Sequence, residues 1–169
     1  MSKPDITAER LRELLSYDPV SGVFTNRVSR CNVCAGAVAG SLSKANGYIE
    51  VGMDGKSYYA HRLAVLYMTG RWPEGYTDHK DGNRANNAWE NLRECSASQN
   101  GANSRKKKPN GVASSELKGI YFAKRDKRWV AEIKVGRKKL SLGYYDTEHE
   151  AHAAYVAAAK QTFGEYARS

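Results

Sequence analysis

An aspartate and a histidine stand side by side at Asp78 and His79, and two asparagines follow at Asn91 and Asn100. A hard divalent cation prefers oxygen ligands, which the Asp78 carboxylate and the Asn100 amide can supply while water and phosphate oxygens complete the shell. A neutral His79 can take the proton from an attacking water, and such help commonly contributes about 10²–10⁴ in rate. The set suits hydrolysis of a phosphodiester, in which phosphate charge must be neutralised and a hydroxide generated.

Two short strands and a helix must hold these residues. The first strand is expected to end at residues 78–79, a turn follows at 81–83, and residues 91–94 form the second strand. A glutamine three residues after Ser96 predicts a capping box, so Asn100 falls on the helix that follows. The expected order of elements is β, β, α.

The pair Asp78 and His79 is ambiguous when taken alone, because a polar pair often just flanks a turn. The spaced set that includes Asn91 and Asn100 favours a catalytic role instead. Adjacent strand residues point to opposite faces, so the pair can converge on one phosphate only where the strand is bent or bulged. The sequence does not show such a bend.

Two strings around these residues resemble the HNH endonuclease family, in the subgroup found in phage and intron-encoded homing enzymes. They are Asp-His-Lys-Asp-Gly-Asn at 78–83 and Asn-Ala-Trp-Glu-Asn-Leu-Arg at 87–93. The similarity runs from about Tyr17 through Asn103, with Ala88-Trp89 as a departure from many relatives. The resemblance implies the ββα-metal motif of that family.

The resemblance also implies a role for each matched residue. Asp78 and Asn100 would bind one Mg²⁺ or Mn²⁺ ion per active site, and asparagine at the second of these positions is the variant of this subgroup. His79 would be the general base, and Asn91 the middle asparagine, which ties the loop together because its amide both donates and accepts. Arg93 is a candidate catalytic residue that would clamp the scissile or leaving phosphate.

Two of these neighbouring side chains have an alternative interpretation. Arg93 could instead form a surface ion pair with Glu90 or Glu94. His61 begins a predicted helix, where it could contact a phosphate or be a packed, hydrogen-bonded residue.

The positive charge of the chain is concentrated in one segment. The whole chain has a net charge of +9, yet 13 lysines and arginines against three acids between Arg105 and Leu140 give that segment +10. A concentrated excess creates a field that attracts a polyanion, and nucleic acid is the commonest one. A solvated basic tail is the alternative.

The elements before and after the candidate site are short. Ahead of it we expect a helix at residues 7–15, strands at 22–25, 47–51 and 57–59 with a hairpin turn at 54–55, and a helix at 61–68. Beyond residue 104 a charged, turn-rich segment predicts a linker. Three alternating segments then follow at 119–122, 128–134 and 138–142, before a helix that begins with a capping box at Thr147.

This C-terminal part resembles the APETALA-type DNA-binding domain of plant ethylene-response factors. The matching strings include Trp-Val-Ala-Glu-Ile-Lys at 129–134, Leu-Gly-Tyr-Tyr-Asp-Thr at 142–147 and Phe-Gly-Glu-Tyr-Ala at 163–167. The resemblance implies a three-stranded antiparallel sheet, packed on one helix, that binds the major groove of double-stranded DNA. The candidate DNA-binding residues are Lys118, Tyr121, Lys124, Arg125, Arg128, Trp129, Lys134, Arg137 and Lys139. For Trp129 a place in the core is the alternative.

The predicted protein is therefore of the α+β class with two modules. An HNH nuclease domain occupies residues 1–104, with its ββα-metal core at about 74–104, and the APETALA-type domain occupies 117–169 after a basic linker at 105–116. No run of 18 apolar residues and no secretory leader is visible, so we expect a cytoplasmic protein of a bacterial or phage-infected cell, with no membrane partner and no small-molecule cofactor. A zinc site is not predicted, because the pair Cys31 and Cys34 lacks a matching second pair of ligands.

The predicted function is a metal-dependent DNA endonuclease that nicks or cuts both strands and is targeted by its C-terminal domain. The main rival is a sequence-specific DNA-binding regulator without catalysis, against which intact Asp78, His79 and Asn100 argue. An RNA-binding or RNA-cutting protein is a third class, which competition between duplex DNA and single-stranded RNA would separate. The sequence leaves the target site, the number of strands cut and the oligomeric state open.

Overall fold

The computed structural model describes residues 6–30, 33–104 and 115–167. The chain divides into two compact units, residues 1–94 and 95–169. Helices and antiparallel sheets occur in both units, which confirms the α+β class. The domain bounds expected from the sequence stay a prediction, and residues 105–114 of the expected linker lie outside the described part of the chain.

The first unit begins with helix α1 (Ala8–Leu14), whose cap Thr7 accepts a hydrogen bond from the backbone N–H of Arg10 at 3.2 Å. The sequence predicts this helix to reach Leu15, but Leu15 has extended backbone and begins strand β1 (Leu15–Asp18). Strand β1 pairs antiparallel with strand β2 (Val23–Asn26). Four residues are too short an alternation to identify β1 from the sequence.

A second small sheet and a helix complete the core of this unit. Strands β3 (Ser41–Leu42), β4 (Ile49–Met53) and β5 (Lys56–Tyr59) are antiparallel, with the predicted hairpin turn between β4 and β5. Helix α2 (Ala60–Thr69) follows and ends at Gly70, which takes the left-handed conformation at φ 77°. The largest fully buried side chains lie where α1, α2 and these strands meet: Leu11, Leu15, Phe24, Val51, Leu63 and Leu66.

The elements that carry the candidate site follow in the predicted order. Strand β6 (Tyr76–His79) pairs with strand β7 (Leu92–Cys95), and a short 3₁₀ helix at Trp89–Asn91 leads into β7. Helix α3 (Ala97–Asn103) comes next, within the second unit. Its predicted capping box is present, since the Ser96 hydroxyl accepts from the Gln99 N–H and the Gln99 side chain accepts from the Ser96 N–H.

The rest of the second unit is a sheet covered by one helix, as predicted. Strands β8 (Ile120–Ala123), β9 (Arg128–Val135) and β10 (Lys138–Tyr145) are antiparallel in the order β10-β9-β8. Helix α4 (Glu148–Phe163) packs its small-residue face on the sheet and is followed by a 3₁₀ turn at Gly164–Tyr166. The shared core contains Ile120, Ala131, Ile133, Ala151, Tyr155 and Ala159.

Two local features, a glycine before β8 and a bulge in β10, shape the packing and pairing of this sheet. A Cβ on Gly119 would lie 1.9 Å from the Tyr155 ring, so only glycine lets α4 approach the start of β8. Strand β10 extends three residues beyond its predicted end because a bulge between Ser141 and Gly143 restores its pairing with β9.

Among the helices that the structure describes, none combines the length and the apolar character needed to cross a membrane.

Candidate active site

His79 is the last residue of β6 and is only 3% exposed. The chain turns immediately after it, since the Gly82 N–H donates to the His79 carbonyl at 2.9 Å. Burial lowers the pKa of His79 below its ordinary range, which outweighs the opposing effects of a hydrogen bond to Asn87 and of the nearby Asp81 charge. The ring is therefore neutral near pH 7, as a general base must be.

Asn87 sets which nitrogen of His79 carries the proton. The Nε2 of His79 lies 3.2 Å from the Asn87 Oδ1, and the Asn87 Nδ2 donates to the Ala85 carbonyl at 3.1 Å. This second bond orients the amide with its oxygen toward the ring, so Nε2–H donates and the lone pair is on Nδ1. The sequence does not predict Asn87 as the partner of His79. It lies eight residues after His79 in a loop with several asparagines, and its spacing does not distinguish it from the others.

Asn87 is in turn held by the β1–β2 hairpin. The Tyr17 hydroxyl donates to the Asn87 carbonyl at 2.7 Å, and burial raises the pKa of Tyr17 to about 12, so it stays a donor even in alkaline solution. The Trp89 N–H donates to the Pro19 carbonyl at 2.8 Å. Gly22 fits against the same stretch, where a Cβ would lie 2.2 Å from the Asn87 carbonyl carbon.

Asn91 fastens the two ends of the loop between β6 and β7. Its Nδ2 donates to the Asp81 carboxylate at 3.0 Å and to the Asn86 carbonyl at 2.8 Å, while its Oδ1 accepts from the Asp81 N–H at 3.1 Å. Desolvation alone would raise the pKa of Asp81, but hydrogen bonds led by that from Asn86 lower it overall. These contacts are of the kind that the predicted structural role of Asn91 requires.

Asp78 lies beside His79 in sequence but has a different partner. The Nε and Nη2 of Arg93 donate to the Asp78 Oδ2 at 3.1 and 3.0 Å, and both side chains are nearly buried, at 9% and 8% exposure. The sequence predicts a phosphate, or else Glu90 or Glu94, as the partner of Arg93, and Asp78 is none of these. Glu94 pairs with Arg71 at 2.8 Å.

His61 is a packed residue of the same region. It is 6% exposed, its ring stacks on Tyr59 with centroids 5.5 Å apart, and it meets the His79 ring edge-on at 5.1 Å. Its Nδ1 has no hydrogen-bond partner in the part of the chain that the structure describes. Burial, followed by the neighbouring His79, lowers the pKa of His61 to about 3.

Most of the predicted DNA-binding residues lie on one face of the C-terminal sheet or in its turns. Residues of β9 alternate, so Arg128 and Lys134 point away from the face that carries Ala131 and Ile133 against α4. Lys139 is directly opposite Lys134. Tyr121 is on this outer face of β8, and the two hairpin turns hold Lys124, Arg125 and Arg137.

Residues 58–102 match the family model described as HNH endonuclease, and residues 115–165 match the model described as AP2 domain. The chain carries an HNH endonuclease segment and an AP2 domain. Both family resemblances predicted from the sequence are confirmed, although the HNH match begins well after Tyr17.

The HNH homing endonuclease I-HmuI, in a structure described as DNA binding and cleavage by that enzyme, is similar to this chain. The two are 27% identical with a TM-score of 0.38, and the match covers 48% of this chain and 46% of that one. The similarity thus spans less than half the length of that protein. No curated protein matches the chain.

The donors of the HNH segment fit a hard cation with few protein ligands. Within residues 6–30, 33–104 and 115–167, no three His, Cys, Asp or Glu side chains are grouped to hold an ion. A hard divalent cation takes oxygen ligands and often only one or two carboxylates, and the nearly buried Asp78 carboxylate is such a donor. Asn100 lies in the middle of α3, half-buried. Of the two cysteines weighed for zinc, Cys34 is exposed and Cys31 lies outside the described residues.

Two of the predicted DNA-binding residues, Trp129 and Lys118, contact other parts of the protein. Trp129 packs against the core beside α4, with its ring centroid 5.3 Å from that of Phe122, which matches the alternative of a core residue. The Nζ of Lys118 donates to three backbone carbonyls at the end of α3, including those of Gly101 at 3.1 Å and Ser104 at 2.8 Å. The third carbonyl is that of Ala102.

Proposed function

We propose that this protein is a metal-dependent endonuclease that hydrolyses double-stranded DNA and is held on its substrate by the AP2 domain. The observation that carries the proposal is the buried, neutral His79, whose protonation site is set by Asn87. A buried histidine prepared in this way, at the end of β6 in an HNH segment, is suited to deprotonate water.

In the proposed reaction, water attacks the phosphorus and its proton passes to Nδ1 of His79. The phosphorus–oxygen bond to the leaving group then breaks, and the leaving oxygen takes a proton from solvent. Asp78 and Asn100 would hold a divalent ion, which supplies electrostatic stabilisation of the phosphate charge when bound. Arg93 holds the Asp78 carboxylate in place through its Nε and Nη2.

The domain arrangement that we propose keeps α3 with the nuclease, although α3 falls within the second compact unit. The HNH family match extends to residue 102 and so includes most of α3. A nuclease domain at residues 1–104, a linker at 105–116 and an AP2 domain at 117–169 is consistent with that match. The AP2 sheet offers its exposed cations to phosphates of the DNA backbone.

The test is conversion of supercoiled plasmid to nicked and linear forms, with Mg²⁺ and with EDTA. We expect cleavage by the wild type in Mg²⁺, and its loss in His79→Ala while DNA affinity in a gel-shift assay stays within about 2-fold. Asn87→Ala should lose about 100-fold in rate, the effect of misplacing a catalytic group by about 1 Å.

Cleavage by His79→Ala at the wild-type rate would exclude His79 as the base. A folded wild type that shifts DNA but never cuts, even on a library of random target sequences, would favour the rival function of a DNA-binding regulator. The proportion of nicked to linear product reports whether one or both strands are cut.

A further inference from the structure

Helix α3 is held at its C-terminal end by a lysine that begins the AP2 domain. The last carbonyls of a helix have no partner within the helix, and a cation there is favoured by the helix dipole. Lys118 supplies three hydrogen bonds to such carbonyls, those of Gly101, Ala102 and Ser104. Helix α3 has no basic residue of its own in its last turn.

Lys118 is itself fixed by the AP2 core. A ring nitrogen of His152, Nδ1, lies 3.1 Å from the Lys118 carbonyl, and His152 stacks on Tyr155 within α4. The next residue, Gly119, is packed directly against the Tyr155 ring. The backbone of Lys118 is therefore held against α4, and its side chain extends from there to the end of α3.

The N-terminal half of α3 is held by another part of the AP2 domain. The N–H of Gly136, in the turn between β9 and β10, donates to the Ser98 Oγ at 2.9 Å. Between the helix and the sheet lies a cleft of about 360 Å³ that is lined by Gly101, Ile133 and Tyr155 among others. Polar contacts thus hold α3 at both ends of this cleft.

We propose that the AP2 domain positions the third residue of the HNH motif, Asn100, by holding α3 through Lys118 and Ser98. A helix of seven residues is too short to be stable alone, so its orientation depends on what holds it. Asn100 lies between the two points of attachment. Lys118 and Ser98 are thus positioning residues, and Lys118 serves the nuclease rather than the DNA backbone.

This inference rests on the proposed function, because it assigns Asn100 to a divalent cation. The first readout is the Mg²⁺ concentration that gives half-maximal cleavage by the full chain, measured beside DNA affinity in EDTA. Lys118→Met should raise that concentration by about 10- to 100-fold, as loss of groups that orient metal ligands does. DNA affinity should stay within about 2-fold, and Lys118→Arg should restore much of the metal response because a guanidinium also donates to carbonyls.

The matched control is Lys160→Met, which removes the same charge from an exposed position on α4. It should leave both the Mg²⁺ response and the affinity at wild-type values. If Lys118→Met weakens DNA binding and leaves the Mg²⁺ response unchanged, Lys118 is a DNA contact and the proposal is wrong.

A second readout needs no cleavage and separates this inference from the proposed function. Hydrogen exchange of the backbone amides from Gly101 to Ser104 should become at least about 10-fold faster in Lys118→Met and in the milder Ser98→Ala. Unchanged exchange in both variants overturns the inference, even if the wild type cuts DNA. Faster exchange in these variants, together with a wild type that never cuts DNA, would support the attachment of α3 and reject the nuclease.

Discussion

The buried histidines His61 and His79 make the stability of the HNH segment depend on pH. Each has a pKa below that of an exposed histidine, because burial disfavours the charged ring. Between the folded and unfolded pKa values, the unfolded chain binds more protons than the folded one. Stability from these groups is therefore complete above about pH 6.5 and is lost as the pH falls below it.

His61→Phe should weaken this dependence on acid. With a folded pKa of about 3, His61 alone reduces the free energy of unfolding by about 1.4 kcal/mol for each pH unit below its unfolded value. Phenylalanine keeps the stacking on Tyr59 and removes the buried Nδ1, which has no hydrogen-bond partner among the described residues. Urea unfolding at pH 7 and pH 5 measures the effect, and an equal loss of stability in wild type and variant would contradict it.

The residues of the site were predicted to different degrees from the sequence. Asp78, His79 and Asn91 follow from spacing, because residue type and local order decide their place on short strands and the loop. Asn87 and Arg93 act through contacts that the chain makes by folding back on itself. Which side chain meets His79 or Asp78 depends on that packing, so neither partner could be derived beforehand.

Among the secondary-structure elements, the β1–β2 hairpin supports the loop that orients His79. Tyr17 and Gly22 both contact the stretch at Asn87, although they precede it by more than 60 residues. The sequence predicts most helices and strands of the fold, since their apolar periodicity and caps are local. It missed β1, whose buried Leu15 continues the helical pattern of α1.

Gly22→Ala should lower the free energy of unfolding by about 1–3 kcal/mol more than Gly36→Ala does. Both glycines have positive φ, at 74° and 82°, so alanine is strained at either position. At Gly22 the new Cβ would also meet backbone, 2.2 Å from Asn87, whereas at Gly36 it would have no described atom within 4 Å. Urea unfolding measures the free energy of unfolding of both variants. Equal losses would show that the close contact between Gly22 and Asn87 does not contribute to stability.

In the molecule as a whole, the positive charge is concentrated in one region, where it can attract a polyanion. The segment between Arg105 and Leu140 carries the excess, and its described part lies largely on the outer face and turns of the AP2 sheet. Exposed ion pairs such as that of Arg128 with Asp146 contribute little and are screened by salt. These cations are consequently able to exchange their partners for phosphates.

Lys134→Ala should reduce the salt dependence of DNA binding. Each phosphate contact contributes about 0.9 to the slope of log K against log salt, so the variant should lose about that much. The loss should be equal on unrelated duplexes, because phosphate contacts carry no sequence information. Fluorescence anisotropy between 50 and 300 mM salt measures it, with Lys160→Ala as the control, and an unchanged slope would remove Lys134 from the interface.

The ion pair of Asp78 and Arg93 bears on how stable the fold is without the proposed cation. Clusters of carboxylates repel one another when a chelator strips the metal, and proteins built around them lose structure. Here a single nearly buried carboxylate already has its own guanidinium. If the proposed function is right, we therefore expect the fold not to depend on the ion, so that protein kept in chelator stays folded and gains activity only when the ion is added.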